Sequence, residues 1–477
     1  MAMKFFKTTS NLVGHQFSLR IDSKYRGVWD KKELFPFSSK ECEKIKIADI
    51  LVPLPIKKLK KGELDSEYNI LNISEIEPKY GRITNSTDAV DSIGSDKTLL
   101  NKADIIISKL VMSKGYIFTN EKNVTNLIGS TELIPYRLRN KNFDVTFLRH
   151  LLLLDEYLDI YSRLETGKTP SQKRVNPMDF LQLLIPSVSV EIQKDIGEKI
   201  LSIESEIDRL NEQIVNKNSI INEVFANEFG INLDSFRLIK NVKVDRKEST
   251  VISKSFDLRF SYKYTSTKYD LLLEAINQHP TKPLKTYTKV PIQLGASISP
   301  INYDEGGDSL YISMSSLRNW TVDTESSSKV SETYYEENLL KNSLQLGDII
   351  IARSGEGTIG KVGILKEDVQ AIFADFTMRV RILEQYSAKY FYYYFCSDLF
   401  QYFVEKEKKG LGNNTNVFPN QLKRFPIIDI SRSRQLEIVN IIDQKLEIVT
   451  KAEEQVKEYK KQIRNLILST FLKTESN

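Results

Sequence analysis

The hydrophobic pattern is most regular in two stretches, residues 191–229 and 434–471. In the first, Ile196, Ile200, Ile203, Ile207, Leu210, Ile214, Ile221 and Val224 follow an alternating four-three spacing interrupted only by Lys217. In the second, Ile438, Ile442, Val449, Ala452, Val456, Tyr459, Ile463 and Leu466 keep the same rhythm, with Lys445 as the exception. That spacing gathers the apolar side chains into one narrow seam and predicts a long helix over each stretch. At ~1.5 Å per residue each helix reaches ~50–55 Å, more than a compact domain ordinarily needs. So narrow a seam needs a partner to cover it, and each helix is the natural cover for the other. Residues 191–229 carry nine acids against four bases, and residues 434–473 six against eight. Opposite net charges favour the pairing, although exposed pairs contribute just ~0.2–1 kcal/mol each. An antiparallel coiled coil is expected, because a large folded segment has to bring the chain back.

Every seam position of the first helix, displaced by 242 residues, lands on a seam position of the second, and Gln193 lands on Gln435. The echo extends beyond the helices. "FSLRIDSKYR" (17–26) returns as "FDLRFSYKYT" (256–265), matching Arg20 with Arg259, Lys24 with Lys263 and Tyr25 with Tyr264. "NKADIIIS" (101–108) returns as "QLGDIIIA" (345–352), matching Asp104 with Asp348, and "LNISEI" (71–76) returns loosely as "ISMSSL" (312–317). "VNPMDFLQLLIP" before the first helix resembles "VFPNQLKRFPI" before the second. The chain therefore reads as two copies of one module. Within each, short β-rich runs such as "DIIIS" and "TMRVRIL" alternate with turn residues and helical patches, an α+β pattern. The expected boundaries are 1–190 for the first module, 191–230 for its helix, 231–432 for the second module and 433–477 for its helix.

Composition narrows the function. At 477 residues, with 27% charged and 40% hydrophobic positions, the chain resembles ordinary globular proteins. No apolar run approaches the ~18 residues of a membrane span, and the N-terminal residues lack the apolar core of a secretory signal, so a cytoplasmic protein is expected. Two cysteines, Cys42 and Cys396, suffice for neither a disulfide framework nor a thiolate zinc site. His15, His150 and His279 lie far apart in sequence, and no metal is expected. The net charge of +5 permits nucleic acid as a partner.

"ARSGEGTIGKVG" (352–363) matches both the Gly-x-Gly-x-x-Gly spacing of a dinucleotide loop and most of a phosphate loop. The residue after Lys361 is Val362, where a phosphate loop needs a hydroxyl for magnesium, and a strand-like run follows in place of a helix. The matching run of copy one, "KLVMSKGYIF" (109–118), does not keep the glycine pattern. A tight β-turn is the expected reading, with no nucleotide or other cofactor. "NPMDF" (176–180) approaches the Asn-Pro-Pro-aromatic motif of amino-methyltransferases but has Met178 at the second proline. No catalytic signature emerges, so a binding protein is expected, not an enzyme.

Two α+β modules, each introduced by Arg-x-x-x-Lys-Tyr, each holding a "DIII" strand and each followed by a matching long helix, resemble the DNA specificity subunit of Type I restriction–modification systems. "LQLGDIIIARSGEGTIGKVGIL" and "NVFPNQLKRFPI…RQLEIVNIID" are similar to that family's target recognition domains. The resemblance implies two tandem recognition domains reading a bipartite double-stranded DNA target, with the helical pair as a ruler between the half-sites. It implies no chemistry in the chain itself. The partners implied are DNA methyltransferase subunits and, through them, ATP-dependent translocase and restriction subunits. The two helices together carry −3, which leaves +8 on the rest of the chain, the sign that phosphate contact needs. A polar segment precedes each helix, "TGKTPSQKR" (166–174) and "KKGLGNNTN" (408–416). Gln172, Asn413, Asn414 and Asn416 suit adenine, and Arg174 suits guanine. Lys168, Lys173, Lys408 and Lys409 suit phosphates, and the glycine turn brings Thr358 and Lys361 toward a DNA backbone. Arg20 and Arg259 suit an ion pair inside each module. The competing reading is a coiled-coil scaffold whose two modules bind protein.

Overall fold

The structure is a computed structural model that describes residues 22–30, 34–37, 42–62, 68–83, 88–90, 94–120, 124–139, 142–239, 264, 266–355, 357–410 and 414–472. Arg20, Arg259, Lys263 and Asn413 lie outside the described residues. The chain folds as two compact units, Met1–Glu212 with Glu453–Asn477, and Gln213–Ala452.

In the first unit a four-stranded antiparallel sheet is built from β1 (Leu51–Pro53), β2 (Ile105–Ser108), β3 (Ile117–Phe118) and β4 (Leu133–Leu138), in the order β1-β4-β2-β3. In the second unit β5 (Gln293–Leu294), β6 (Ile349–Ala352), β7 (Val362–Ile364) and β8 (Thr377–Val380) are ordered β5-β8-β6-β7. The two orders are the same, and so is the register, with Leu133 opposite Ser108 and Thr377 opposite Ala352. The "DIIIS" and "DIIIA" runs form the strands β2 and β6, both buried on both faces, which explains their unbroken isoleucines. Each unit also has a sheet with one parallel pair, Tyr68–Leu71 beside Leu127–Ser130 and Ser309–Ile312 beside Ala371–Phe373. The loose echo of "LNISEI" in "ISMSSL" is one turn made twice: Asn72 N–H donates to Glu75 and Ser313 N–H to Ser316.

Side chains at matched places have diverged. Asp104 accepts from the backbone N–H of Leu138 at 2.8 Å, whereas Asp348 receives the Arg381 guanidinium at 2.7 and 2.6 Å.

Two helices follow the sheets in each unit, α1 (Val145–Leu152) and α2 (Asp155–Leu164) in the first, and α5 (Ala388–Cys396) and α6 (Asp398–Glu407) in the second. The long helical segments are α3 (Val190–Asn211), α4 (Lys217–Phe229) and α7 (Arg432–Ser469). At the start of each seam helix a buried glutamine fastens it to its module. Gln193 Oε1 accepts from the Asp144 backbone N–H at 3.0 Å while its Nε2 donates to Val188 O at 2.7 Å. Gln435 does the same with Ser387 N–H at 2.9 Å and Ile430 O at 3.3 Å. Asp144 and Ser387 are in turn the N-caps of α1 and α5. One amide thus joins the start of a long helix to the start of a module helix.

The first long helix, expected to be continuous over 191–229, is in two pieces. Residues 212–216 (Glu-Gln-Ile-Val-Asn) correspond to 454–458 (Glu-Gln-Val-Lys-Glu), which stay helical inside α7. The two sequences differ in kind at their last two positions. Val215 is β-branched and Asn216 competes for backbone groups, whereas Lys457 and Glu458 are good helix formers. Asn216 caps α4 by accepting from Asn218 N–H at 2.8 Å, which starts a new helix where the old one would have run on. Gly230, in the left-handed region at φ 61°, ends α4.

In the second unit, Ile221, Val224 and Phe225 of α4 share one buried cluster with Ile438, Val439 and Ile442 of α7 and with the aromatics of α5. Glu228 pairs with Arg434 and Glu223 with Lys445, so numbers fall along α4 as they rise along this part of α7. In the first unit, Ile196, Ile200, Ile207 and Leu210 of α3 and Val456, Ile463 and Ile467 of α7 are buried.

The two cores differ most at one place. In the first unit, Arg149 donates to Glu204 at 2.7 Å and the His150 ring lies 3.2 Å from the same carboxylate, all three buried. Tyr80 packs edge-on against His150, and Arg82 reaches the Glu204 carbonyl and the Asp208 carboxylate. Burial, reinforced by the Arg149 and Arg82 charges, holds the His150 ring down to about 4 against the pull of Glu204. Burial pushes the Glu204 carboxyl up, but the His150 hydrogen bond and the two guanidinium groups outweigh it and leave it at about 2. At the matching positions the second unit has Tyr392, Tyr393 and Leu446. His279 likewise serves packing, edge-on to Phe229.

Gln193→Leu leaves the Asp144 N–H and the Val188 carbonyl without their partner, a loss of ~1–3 kcal/mol. Faster amide exchange over α1 and a lower Tm are expected, with the second unit's amides unchanged. A second expectation concerns pH. The folded-state value of His150 lies below its ordinary one, so the unfolded chain takes up the proton first as pH falls. The stability contributed by the neutral ring is complete above pH ~6.5 and is lost as pH falls through about 4. Tm measured across that window should show a slope that His150→Phe flattens.

Candidate nucleic-acid interface

The polar segments that precede the long helices each return to the strand that carries the "DIII" run. In the first unit, Lys109, just past β2, donates its N–H to Glu132 O at 3.0 Å and accepts from Val175 N–H at 3.0 Å. Thr166 and Arg174 close the loop between them with two backbone bonds of 2.9 and 2.8 Å. In the second unit, Arg353, just past β6, donates to Phe376 O at 3.0 Å and accepts from Val417 N–H at 2.9 Å. Lys409 and Asn416 close the corresponding loop with bonds of 2.8 and 2.7 Å. The main-chain frame is therefore built twice, bond for bond. A glycine follows the first closing residue in both loops because the chain passes too close to itself for a side chain. A Cβ on Gly167 would sit 2.5 Å from Gln172 O, and one on Gly410 would sit 2.2 Å from Asn414 O.

On this frame the side chains differ completely. In the first unit the Arg174 guanidinium takes both oxygens of Glu132, at 3.0 and 2.9 Å, and also donates to Gln172 O. Lys109 Nζ approaches the same carboxylate at 3.7 Å. The Arg174 hydrogen bonds hold the Glu132 carboxyl below its ordinary range despite partial burial, with Lys109 helping. Arg174, the residue that suits guanine by sequence, is thus held on a carboxylate. Lys168 and Gln172 stand exposed on the loop, and Lys173 is half-buried. Asn176 of the "NPMDF" motif caps the short helix Pro177–Leu181 by accepting from Met178 N–H, which accounts for that motif as a helix start.

The glycine loop of the second unit is a turn between β6 and β7. The N–H groups of Thr358 and Ile359 donate to Gly355 O, that of Gly360 to Ala352 O and that of Lys361 to Thr358 O. The Thr358 hydroxyl donates to Ser354 O at 2.6 Å. These amides face inward to the loop's own carbonyls, and the chain continues as strand, so the geometry opposes a phosphate cradle. Gly355 N–H reaches Thr415 O at 3.2 Å, which brings the turn against the 409–416 loop, and the Lys361 side chain is exposed. Lys408, which suits phosphate by sequence, is buried with its ammonium 2.8 Å from Glu405. Lys409 is half-buried and Asn414 exposed. Asn416 Nδ2 donates to Asn414 O at 3.0 Å, while its Oδ1 is buried without a partner among the described residues. Asn413 lies outside the described residues.

Three side chains at the centre of this surface escape sequence inspection. The Arg353 guanidinium carbon lies 5.7 Å from the ring centre of Phe376 and 5.5 Å from that of Phe418. Both rings are unusually open, 46% and 40% exposed. The signal that finds them is the repeat, since Lys109, Glu132 and Asn176 occupy the same places in copy one. Among the described residues no helix is long and apolar enough to cross a membrane.

No protein-family model and no curated protein matches the sequence. Among solved structures, the chain is similar to the S subunit of a Type-I restriction-modification system from M. genitalium. Identity is 12%, 92% of this chain and 98% of that one are covered, and the TM-score is 0.50. A chain of the type I R-M system is matched at 14% identity, with 92% and 100% covered and a TM-score of 0.46. The HsdS subunit from Thermoanaerobacter tengcongensis is matched at 13%, with 91% and 98% covered and a TM-score of 0.30. At these identities the likeness is one of fold, and the fold is that of a Type I S subunit.

Gly410→Ala places a Cβ on Asn414 O at a φ of 111° and should cost ~1–3 kcal/mol. Faster exchange of the Lys409 and Asn416 amides would report it. Gly357→Ala, at φ 82° but with open space around it, should cost less.

Proposed function

We propose that this chain is the non-catalytic, sequence-reading subunit of a Type I restriction–modification complex. The observation that carries the reading is the pair of identical main-chain frames bearing unlike side chains. One scaffold used twice with different donors and acceptors is what recognition of two different half-sites requires. The target is then bipartite and asymmetric, each unit taking one part of a double-stranded site. The paired helices α3, α4 and α7, as an antiparallel coiled coil, set the unread spacer between the parts. The modules are 1–190 and 231–432, with 191–230, which holds most of α3 and all of α4, and 433–477, which holds most of α7, as the spacer segments.

In this reading the overall charge of +5 and the basic loops supply the phosphate attraction, with Lys168, Lys173, Lys361 and Lys409 against the backbone. Gln172 and Asn414 offer exposed amide groups that pair with adenine, and Asn416, whose amide donates to Asn414 O, positions the second of them. The partners are DNA methyltransferase subunits and, through them, ATP-dependent translocase and restriction subunits, in the cytoplasm. The chain itself needs no cofactor.

The experiment is methylation-site sequencing of a host that expresses the chain with its methyltransferase. A split recognition sequence is the expected result. Replacing Asn414 and Asn416 by alanine should alter one half of that sequence, at ~1–3 kcal/mol per lost bidentate contact, and leave the other half intact. Both halves unaltered would sink the amide assignment. Methylation without any split motif would sink the function.

A further inference from the structure

We infer that Arg353, held between Phe376 and Phe418, is the guanine-reading side chain of the second unit, an inference that rests on the DNA-recognition reading above. Arg353 occupies the position that Lys109 has in the first unit, on the same pair of main-chain bonds. There the cations are already spent on an acid, because Glu132 engages both Arg174 and Lys109. At the place of Glu132 the second unit has Phe376, and at the place of Arg174 it has Asn416. The carboxylate is gone, and the guanidinium makes no hydrogen bond or ion pair with any described residue. Its Nε is buried and unpaired. Other guanidinium groups of this unit are committed, Arg381 to Asp348, Arg237 to Asp398 and Arg434 to Glu228.

Two half-open phenyl rings are an unfavourable surface for water unless they serve a contact. Both rings lie within cation–π distance of the guanidinium, 5.7 and 5.5 Å from its carbon to their centres, which limits its rotamers and leaves less freedom to lose on binding. A cation meant for phosphate needs no such orientation, and exposed Lys361 suits that task beside it. A planar, oriented fork of donors matches the O6 and N7 acceptors that guanine shows in the major groove. The neighbouring Asn416 carries a buried acceptor without a partner among the described residues, so it does not claim the Arg353 donors.

The test uses the full chain and a pool of duplexes with randomised positions, from which bound sequences are selected. The unaltered chain is expected to select a motif with a guanine that R353A no longer demands. Affinity for the selected duplex should fall about 10- to 100-fold while the rest of the motif is kept. R353K, which keeps the charge without the fork, should also lose the preference. F418L should weaken it while preserving the fold, checked by an unchanged Tm. A loss of affinity equal for all duplexes would mark Arg353 as a phosphate contact and overturn the inference. So would a motif that R353A leaves unchanged, with the recognition reading intact. If the unaltered chain selects no motif, the recognition reading falls and this inference falls with it.

Discussion

Both halves of this molecule hang on a glutamine amide. Gln193 and Gln435 sit at the start of the seam helices, fully out of water, and each bridges a backbone donor on one element to a backbone acceptor on another. A buried amide left half-satisfied costs more than a hydrogen bond returns, so the geometry around each glutamine is narrowly set. The donor belongs to the residue that also caps the module helix. Fixing the amide therefore fixes where the long helix leaves the module, and the sheet order, the α1–α2 and α5–α6 pairs and the returning loops are arranged about that exit.

Much of this was legible in the sequence because it is periodic or duplicated. The seam spacing marks the helices, the unbroken isoleucines mark the central strands, and the 242-residue displacement links Gln193 to Gln435 before any coordinate is known. The break between α3 and α4 was less visible. A seam pattern registers where apolar residues fall, and the 212–216 stretch keeps its isoleucine in phase, while what ends the helix is the capping preference of Asn216. Side-chain commitments were the least visible. Arg174 and Lys408 look available as donors in the sequence, but Glu132, 42 residues before Arg174, and Glu405, three residues before Lys408 on the preceding helix, claim them.

Conserving a fold while exchanging its interior is the other lesson of the duplication. Where the first unit buries Arg149, His150 and Glu204, the second has Tyr392, Tyr393 and Leu446 at the matching positions. The charged version is costly to desolvate and survives because each charge has a partner, whereas the aromatic version combines buried area with tyrosine hydroxyls that donate to Trp320 O and the Asp443 carboxylate. Both support the same strand order and the same helix exits, so neither chemistry is what specifies the architecture. The main-chain ladder and the two amides do that.

The loop frames carry this separation to the surface. The bonds that place the main chain at Lys109 and Arg353, and the paired bonds that close 166 onto 174 and 409 onto 416, run between backbone groups. Backbone bonds are blind to the side chains they display. Single substitutions at 109, 132 and 174, or at 353, 376, 416 and 418, can therefore change what the surface presents with little effect on whether it folds. Such a frame behaves as a socket with interchangeable contacts. A lineage carrying it can drift from one binding preference to another through folded intermediates, one residue at a time.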